Sequence, residues 1–273
     1  MERQKIGLVL SGGGVKALAH AGLIKALLEF DINPEVLSGT SGGAIVAALY
    51  ASNYHPDEMV RFFKETPIFK LNLFAMHKPG IIDSEKYQDI FKRFFINETF
   101  ESLKYPLTIT ATNINQGTLR YFDSGDLIKP LIASSALPPY FSPIEIEGEL
   151  FSDGGILNNF PTEPVKHHCD VLIGSFVSPV KPIEHSEVNT TLKLIQRIFH
   201  IGLDANYASK FGMCDYLFLP QNIEHVGMLE TKMIDSAYEL GYENACVEIE
   251  KTLKKTLEFK NEPVPPLVIN NDK

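Results

Sequence analysis

Two strand–turn–helix units in the first fifty residues constrain the fold of this chain more than any other feature. Residues 6–10 form a short apolar run that enters three glycines, and apolar residues then recur at helical spacing. Residues 35–39 form a second short run, followed by Thr40-Ser41-Gly42-Gly43 and a helix of small residues over 44–51. Strand, helix, strand and helix in this order predict a βαβ unit, in which the two strands are parallel and the crossover is right-handed.

The rest of the chain continues the alternation of helices and strands. Helices are predicted over residues 55–64, 84–95, 126–136, 190–210 and 231–257, and strands over 106–115, 118–123, 144–146, 149–152, 171–177 and 216–219. No internal repeat or low-complexity linker interrupts this pattern. We therefore expect an α/β fold with a mostly parallel central sheet, in one domain over residues 1–260 that is followed by a polar tail over 261–273.

Charge and cysteine content weigh against several classes of function. The formal net charge is -9 and the sequence has no basic cluster, which argues against nucleic acid as a partner. The three cysteines are scattered and lack zinc-binding spacing, so we expect neither a disulfide framework nor a metal site.

No segment has the length of a membrane span, and the N-terminal apolar run is too short for a signal peptide. The sequence predicts a cytoplasmic protein, with peripheral contact to a membrane left open.

Residues 39–43, Gly-Thr-Ser-Gly-Gly, match the G-x-S-x-G pattern of a nucleophile elbow. The glycines permit a sharp turn from strand to helix that lifts the hydroxyl of Ser41 clear of the sheet. The serine then lies at a helix N-terminus, where unpaired N–H groups favour developing negative charge. The simpler interpretation is a glycine-rich turn in which Ser41 only caps the helix.

The run Gly12-Gly13-Gly14 offers backbone donors for an oxyanion hole. Attack on an ester places charge on the carbonyl oxygen, and backbone N–H groups reach that oxygen only where no side chain blocks the approach. A dinucleotide or phosphate loop is the competing interpretation. It fits poorly, because residues 11–22 match neither G-x-G-x-x-G nor G-x-x-x-x-G-K-[ST]. No cofactor is therefore expected.

Asp153 is the best candidate for a base that activates the serine. It follows a predicted strand, and the two glycines behind it allow another backbone or a ligand to approach closely. A partly buried carboxylate has a raised pKa and can accept a hydroxyl proton directly. The histidines His20, His167 and His168 lie in contexts typical of ordinary core or surface residues, although each remains an alternative base.

The order of these motifs resembles the patatin-like phospholipase family. The similarity rests on the glycine run with Lys16, on residues 39–43, on Asp153-Gly154-Gly155, on the segment 133–138 and on Gly241-Tyr242. It implies a three-layer sandwich in which helices flank the sheet. It also implies a Ser41–Asp153 dyad without a catalytic histidine or a metal, and an oxyanion hole at Gly12, Gly13 and Gly14. The supporting positions would be Lys16, Gly39, Gly43, Gly154 and Gly155.

The chain departs from the family pattern at Lys16, where arginine is usual. Lysine keeps the charge but lacks the planar fork, so a bidentate contact at this position is in doubt. The backbone donors do not depend on that side chain, and we expect activity to survive.

The function that these features predict is hydrolysis of a lipid acyl ester, such as a phospholipid or a lysophospholipid. The alternative is a lipid-binding or regulatory protein that keeps the fold but hydrolyses little. The apolar residues within 66–80 could form a lid or a lipid entry surface, and ordinary core packing is the alternative for them. Headgroup, acyl length and oligomeric state cannot be predicted from the sequence.

Overall fold

A mixed β-sheet of eight strands runs through the part of the chain that the computed structural model describes, residues 4–66, 73–204 and 207–261. The first three strands in the order of the chain are β1 (Ile6–Leu10), β2 (Pro34–Gly39) and β3 (Leu107–Asn113). The others are β4 (Thr118–Phe122), β5 (Ile144–Ile146), β6 (Glu149–Asp153), β7 (Val171–Ser175) and β8 (Tyr216–Phe218). Strands β3, β2, β1, β7 and β8 pair in parallel in that order, whereas β4, β5 and β6 pair antiparallel. The predicted parallel pairing of the first two strands is confirmed.

Helices pack on both faces of the sheet because its central strands are apolar on both sides. In β1, Leu8 and Leu10 enter one hydrophobic cluster and Val9 enters the other. Leu37 and Val36 divide in the same way in β2. Alternate side chains of a strand point to opposite faces, so a continuous apolar run is buried on both. The prediction of an α/β fold with helices on either side of a central sheet is confirmed.

The helices are α1 (Leu18–Glu29), α2 (Gly42–Ala51), α3 (Pro56–Glu65), α4 (Gln88–Phe94), α5 (Ile128–Ser134), α6 (Glu163–Lys166), α7 (Thr191–Asp204), α8 (Ala208–Phe211), α9 (Ile234–Glu248) and α10 (Lys254–Asn261). A π-helical segment, Ile249–Leu253, joins the last two. The helix predicted over 84–95 begins instead as a 3-10 turn, in which the carboxylate of Asp83 accepts the N–H of Glu85. None of the described helices combines the length and the hydropathy that a membrane crossing needs.

Strand β3 brings two chain segments together at one edge. Its residues Ile109 to Asn113 pair with β4 along one side. Gly39, the last residue of β2, pairs with Ile109, and Asp153, the last residue of β6, pairs with Ala111. Because β4 occupies one edge of β3, β2 and β6 must share the other. They approach from opposite directions, so their C-terminal ends meet.

Residues 67–72, in the middle of the segment considered as a lid, lie outside the described residues. Beyond them, Leu73 is buried, whereas Phe74 and Met76 are exposed. Phe74 bridges to Ile82, which also bridges to Phe141. The lid stays a prediction. The polar tail from residue 262 onward also lies outside the described residues.

Candidate active site

Ser41 lies in a tight turn between β2 and α2, with an unusual backbone conformation. Its φ of 54° and ψ of -128° fall in a region that residues with a side chain rarely adopt. Such a conformation costs about 1 to 3 kcal/mol and persists only where the surrounding structure holds it. The backbone N–H of Ser41 donates to Oγ of Ser134 at 2.8 Å, and its carbonyl accepts the N–H of Ile45. These bonds hold the turn together with those that the Thr40 carbonyl accepts from the N–H groups of Gly43 and Ala44.

Gly43 allows this turn to pack against the end of β1. A Cβ at position 43 would lie 2.4 Å from the carbonyl oxygen of Ser11 and 2.6 Å from that of Leu10. Both atoms belong to the backbone and cannot move away as a side chain could. The close approach of α2 to β1 therefore requires a glycine at position 43.

Asp153 contacts the serine directly. The hydroxyl of Ser41 donates to Oδ2 of Asp153 at 2.8 Å, and the N–H of Gly155 donates to Oδ1 at 2.8 Å. The hydroxyl of Thr112 in β3 donates to the Asp153 carbonyl at 2.9 Å. Gly154 is needed here as well, because a Cβ would lie 2.3 Å from the carbonyl oxygen of Thr110. The structure thus brings together the two residues that the sequence predicted as a dyad.

The carboxyl group of Asp153 is only 2% exposed. Burial raises its pKa to about 7, and the hydrogen bonds from Gly155 and Ser41 oppose this shift. The loss of water disfavours the charged form more than the two donors stabilise it. The group can therefore change its protonation state near neutral pH, as a general base requires.

The glycine run lies directly against the serine turn, but only one of its three N–H groups is already hydrogen-bonded to a described residue. The N–H of Gly12 donates to the carbonyl of Asn159 at 3.2 Å and is occupied. Those of Gly13 and Gly14 have no acceptor in the described part of the chain. Gly42 is the first residue of α2, so its N–H is one of the unpaired donors of a helix N-terminus. A Cβ on Gly42 would lie 3.3 Å from the nitrogen of Gly14. Three unpaired N–H groups therefore surround the turn.

The histidines considered as alternative bases lie elsewhere. His20 is fully buried beneath the glycine loop, with Nε2 2.9 Å from the carbonyl oxygen of Ser11 and Nδ1 2.7 Å from Oγ of Ser175. Burial lowers the pKa of His20 to about 4, so the ring is neutral. It donates to Ser11 and accepts from Ser175. His167 and His168 are exposed and do not line the cavity at Ser41.

A cavity of about 130 Å³, open to solvent, lies above the serine. Its walls are mainly apolar and aromatic: Val15, Ile45, Phe62, Phe63, Tyr87, Phe91, Ile132, Leu137, Phe141, Leu229 and Ile234. Ser41, Asp153 and the three glycines of the loop line it as well. Such a cavity fits a flexible hydrocarbon chain next to a polar reacting group.

A second cavity adjoins the first and shares Ser178, Met228 and Leu229 with it. Lys16 lies in this second cavity and not beside Ser41. Burial, and then the charge of Lys181, lower the pKa of the Lys16 ammonium. In the described ranges no cluster of His, Cys, Asp and Glu side chains could hold a metal ion.

Sequence reasoning missed three residues of the site: Gly42 as a donor, Ser134 as the acceptor of the Ser41 N–H, and Asn159. The side chain of Asn159 lines the cavity, and its buried Nδ2 has no partner in the described structure. The pair Asn158-Asn159 follows Asp153 closely in the sequence and was the available signal.

Comparison with known proteins decides the family. The sequence model described as patatin-like phospholipase matches residues 8–166, more than half of the chain. The chain belongs to the patatin-like phospholipase family. This match includes every motif through Asp153 on which the resemblance was based, and it ends before Gly241-Tyr242.

This patatin-like chain matches only part of the length of two of its relatives. An uncharacterized NTE family protein of Mycobacterium tuberculosis is 30% identical over 200 residues, which cover 71% of this chain and 55% of that protein. Lysophospholipase nte1 of Aspergillus fumigatus is 26% identical over 271 residues, covering 87% of this chain and 18% of the fungal protein. The chain thus spans about half the length of the mycobacterial relative and about a fifth of the fungal one.

Among solved structures, VipD from Legionella pneumophila has a similar fold. Its TM-score is 0.52, at 15% sequence identity, and the match covers 91% of this chain and 67% of VipD. At this identity the likeness concerns the fold alone.

Proposed function

We propose that this protein hydrolyses acyl esters of lipids through a Ser41–Asp153 dyad. The observation that carries the proposal is the 2.8 Å hydrogen bond from the Ser41 hydroxyl to Asp153 at the floor of an apolar cavity. Ser41 would be the nucleophile and Asp153 the general base. Membership of a phospholipase family and the names of the fungal relatives support a lipid ester as the substrate class.

Acylation would begin with proton transfer from Oγ of Ser41 to Oδ2 of Asp153. Oγ attacks the ester carbonyl carbon, and the carbonyl oxygen becomes an oxyanion. The bond between carbon and the alcohol oxygen then breaks, and protonated Asp153 returns its proton to the departing alkoxide. Water attacks the acyl-enzyme in the second half of the cycle. Asp153 accepts a proton from that water and passes it to Ser41 as the carboxylic acid leaves.

The unpaired N–H groups of Gly13, Gly14 and Gly42 would hold the oxyanion. Removal of one such donor costs about 3 to 4 kcal/mol of transition-state stabilisation in serine hydrolases. The sequence pointed to Gly12, Gly13 and Gly14. Since Gly12 is bonded to Asn159, the geometry favours the other two together with Gly42. Helix α2 adds the positive end of its dipole behind Gly42.

Labelling with a fluorophosphonate tests the nucleophile. Oγ of an activated serine attacks the phosphorus and displaces fluoride, which leaves a stable adduct that peptide mass spectrometry locates. We expect one adduct, on Ser41, and none in Ser41→Ala. No adduct on folded wild-type protein would favour the alternative, a lipid-binding or regulatory protein with little hydrolase activity.

Turnover of a p-nitrophenyl ester tests the base. We expect Asp153→Asn to lower kcat by about 10² to 10⁴-fold, because the amide cannot accept the serine proton. The matched control is Asp126→Asn, at an aspartate that accepts backbone N–H groups near the start of α5 and does not line the cavity. Near-normal turnover of Asp153→Asn would refute the dyad.

A further inference from the structure

Helix α7 presents a row of exposed apolar side chains beside the two cavities. Leu194, Ile198 and Ile201 follow one another at i, i+4 and i+7, and Ile195 lies next to them on the same side of the helix. These four side chains are 45% to 61% exposed. Large aliphatic groups that gather on one exposed face usually mark an interaction surface. By contrast, α2 is apolar along its whole length and is entirely buried.

The neighbouring face of α7 is basic and lines the second cavity. Lys193, Arg197 and His200 share the same i, i+4, i+7 spacing, displaced by one residue from the apolar row. Arg197 donates through Nη2 to the carbonyl of Lys181 at 2.8 Å, which joins the preceding loop to the helix. A third side of the helix faces inward, where Phe199 packs against the hydrophobic cluster around Phe176.

As far as the structure describes the chain, the cations beside the second cavity form no close ion pairs, although the charge of Glu224 opposes the lowering of the Lys16 pKa. Within the described residues, no Asp or Glu oxygen lies within 4.0 Å of the charged nitrogens of Lys16, Lys181, Lys193 or Arg197. The second cavity is lined by these four cations and by two carboxylates, those of Glu187 and Glu224. The surrounding chain carries a net charge of -9, so this patch is positive on an acidic protein.

We propose that α7 is the surface through which this protein docks on an anionic lipid bilayer, with the apolar row in the interface and Lys181, Lys193 and Arg197 at the level of the headgroups. Apolar residues on one face and Lys or Arg on the next are the pattern of an interfacial helix. Each basic residue near an anionic leaflet adds attraction, and the acidic remainder of the protein is repelled, which selects this orientation.

Charge decides between a bilayer and a second copy of the chain. A two-fold contact through the apolar row would bring the basic residues of both copies close together, and on each copy the four cations outnumber the two carboxylates. An anionic lipid surface complements the same charges. The position of α7 also favours lipid, because its basic face lines a cavity that lies next to the one at Ser41 and shares three lining residues with it. A bilayer at α7 would therefore lie close to the site.

Flotation with vesicles tests this surface, using phosphatidylcholine with phosphatidylglycerol against phosphatidylcholine alone. Wild type should bind the mixed vesicles more strongly. Ile198→Glu should lower the partition coefficient by about tenfold or more. It removes aliphatic carbons that the bilayer would bury and adds a negative charge. Lys193→Gln with Arg197→Gln should weaken binding to the mixed vesicles only. The control is Ile96→Glu, at an isoleucine 80% exposed elsewhere on the surface, and it should bind as wild type.

Three outcomes would overturn the proposal. One is equal flotation of Ile198→Glu and wild type. Another is a loss of vesicle binding in Ile96→Glu that is as large as the loss in Ile198→Glu. The third is a wild-type dimer in analytical ultracentrifugation that Ile198→Glu dissociates, without flotation of the wild type, since the row would then be a contact between copies. Circular dichroism and the thermal midpoint of each variant show that it is folded.

The inference rests on the proposed function only for the nature of the substrate, and the two can fail separately. Flotation needs no catalysis, so it can be measured on Ser41→Ala. If the surface operates in hydrolysis, Ile198→Glu should lower the ratio of vesicle-lipid turnover to short-chain ester turnover. Flotation that depends on Ile198, in a protein that fluorophosphonate does not label, would keep the docking surface and refute the hydrolase.

Discussion

Ser41 and Asp153 reach the same point of the molecule by different routes. Ser41 is held mainly by its own segment, since β2, the turn and α2 are contiguous and their glycines permit the conformation. Asp153 is held by pairing with a strand distant in the sequence, because its position depends on the register of β6 against β3. The difference shows that one half of this site is a local motif, whereas the other half exists only once the sheet has formed.

The two halves of the site also destabilise the folded protein in different ways. The serine turn carries backbone strain, with a φ of 54°. The aspartate carries a buried carboxyl group whose charge is poorly solvated. Backbone strain does not depend on pH, but the cost of a buried charge does. Four substitutions or conditions test whether the two halves of the site are held by these different means.

The largest effect should come from adding a methyl group to the turn. Gly43→Ala should lower the free energy of unfolding by about 2 to 4 kcal/mol, because two backbone oxygens leave no room for a Cβ. Urea denaturation measures the change. Gly202→Ala in α7 is the control, since nothing lies within 4 Å there, and helix propensity should make it neutral or slightly stabilising. Equal stability of both variants would mean that the turn is not tightly packed.

The pH dependence of turnover tests the aspartate half. Asp153 must be ionised to accept a proton and its pKa is about 7, so kcat/KM should rise with pH through about 7 and then level off. Below that pH the fall should approach tenfold per unit, or about 50-fold between pH 7 and pH 5. A profile that stays flat down to pH 5 would mean that the base is not a buried carboxyl group with a raised pKa.

The ionisation of Asp153 should affect stability in the opposite direction from turnover: the free energy of unfolding should fall as pH rises. The folded-state pKa lies above the unfolded value, so the native state binds the extra proton and is destabilised as pH rises from about 4 to 7. Asp153→Asn removes that ionisation. At pH 8 it should raise the free energy of unfolding by roughly 1 to 3 kcal/mol, and near pH 4 the gain should vanish. Thermal melts at both pH values measure this, and a gain that is independent of pH would exclude ionisation as the cause.

The smallest effect should come from the contact that supports the serine backbone. Ser134→Ala leaves the N–H of Ser41 without its acceptor, at a cost of about 1 kcal/mol, so turnover should fall by severalfold. Ser102→Ala is the comparison, because that exposed hydroxyl bonds only to the carbonyl of Thr99 within its own turn. If both variants kept wild-type turnover, the turn would be held by its own segment alone.

Local sequence patterns predicted most helices and strands, but not where every helix is interrupted or which of its faces is left exposed. The strand over residues 6–10 was predicted with the bounds that the structure has, since a short apolar run between polar and glycine residues has few alternatives. The helix predicted over 190–210 is instead two, α7 and α8. The exposed row on α7 was missed because periodicity shows an apolar face without showing what covers it.

For the site, the residue types could be predicted from the sequence: a serine at a glycine turn, a glycine run ahead of a helix, and an aspartate followed by two glycines. These are local requirements of the backbone, and they can be recognised in a few consecutive residues. The tertiary structure added that Asp153 contacts Ser41 and that the N–H of Gly12 is bonded to Asn159. Both depend on strand pairing or on contacts between segments more than one hundred residues apart, which no local pattern contains.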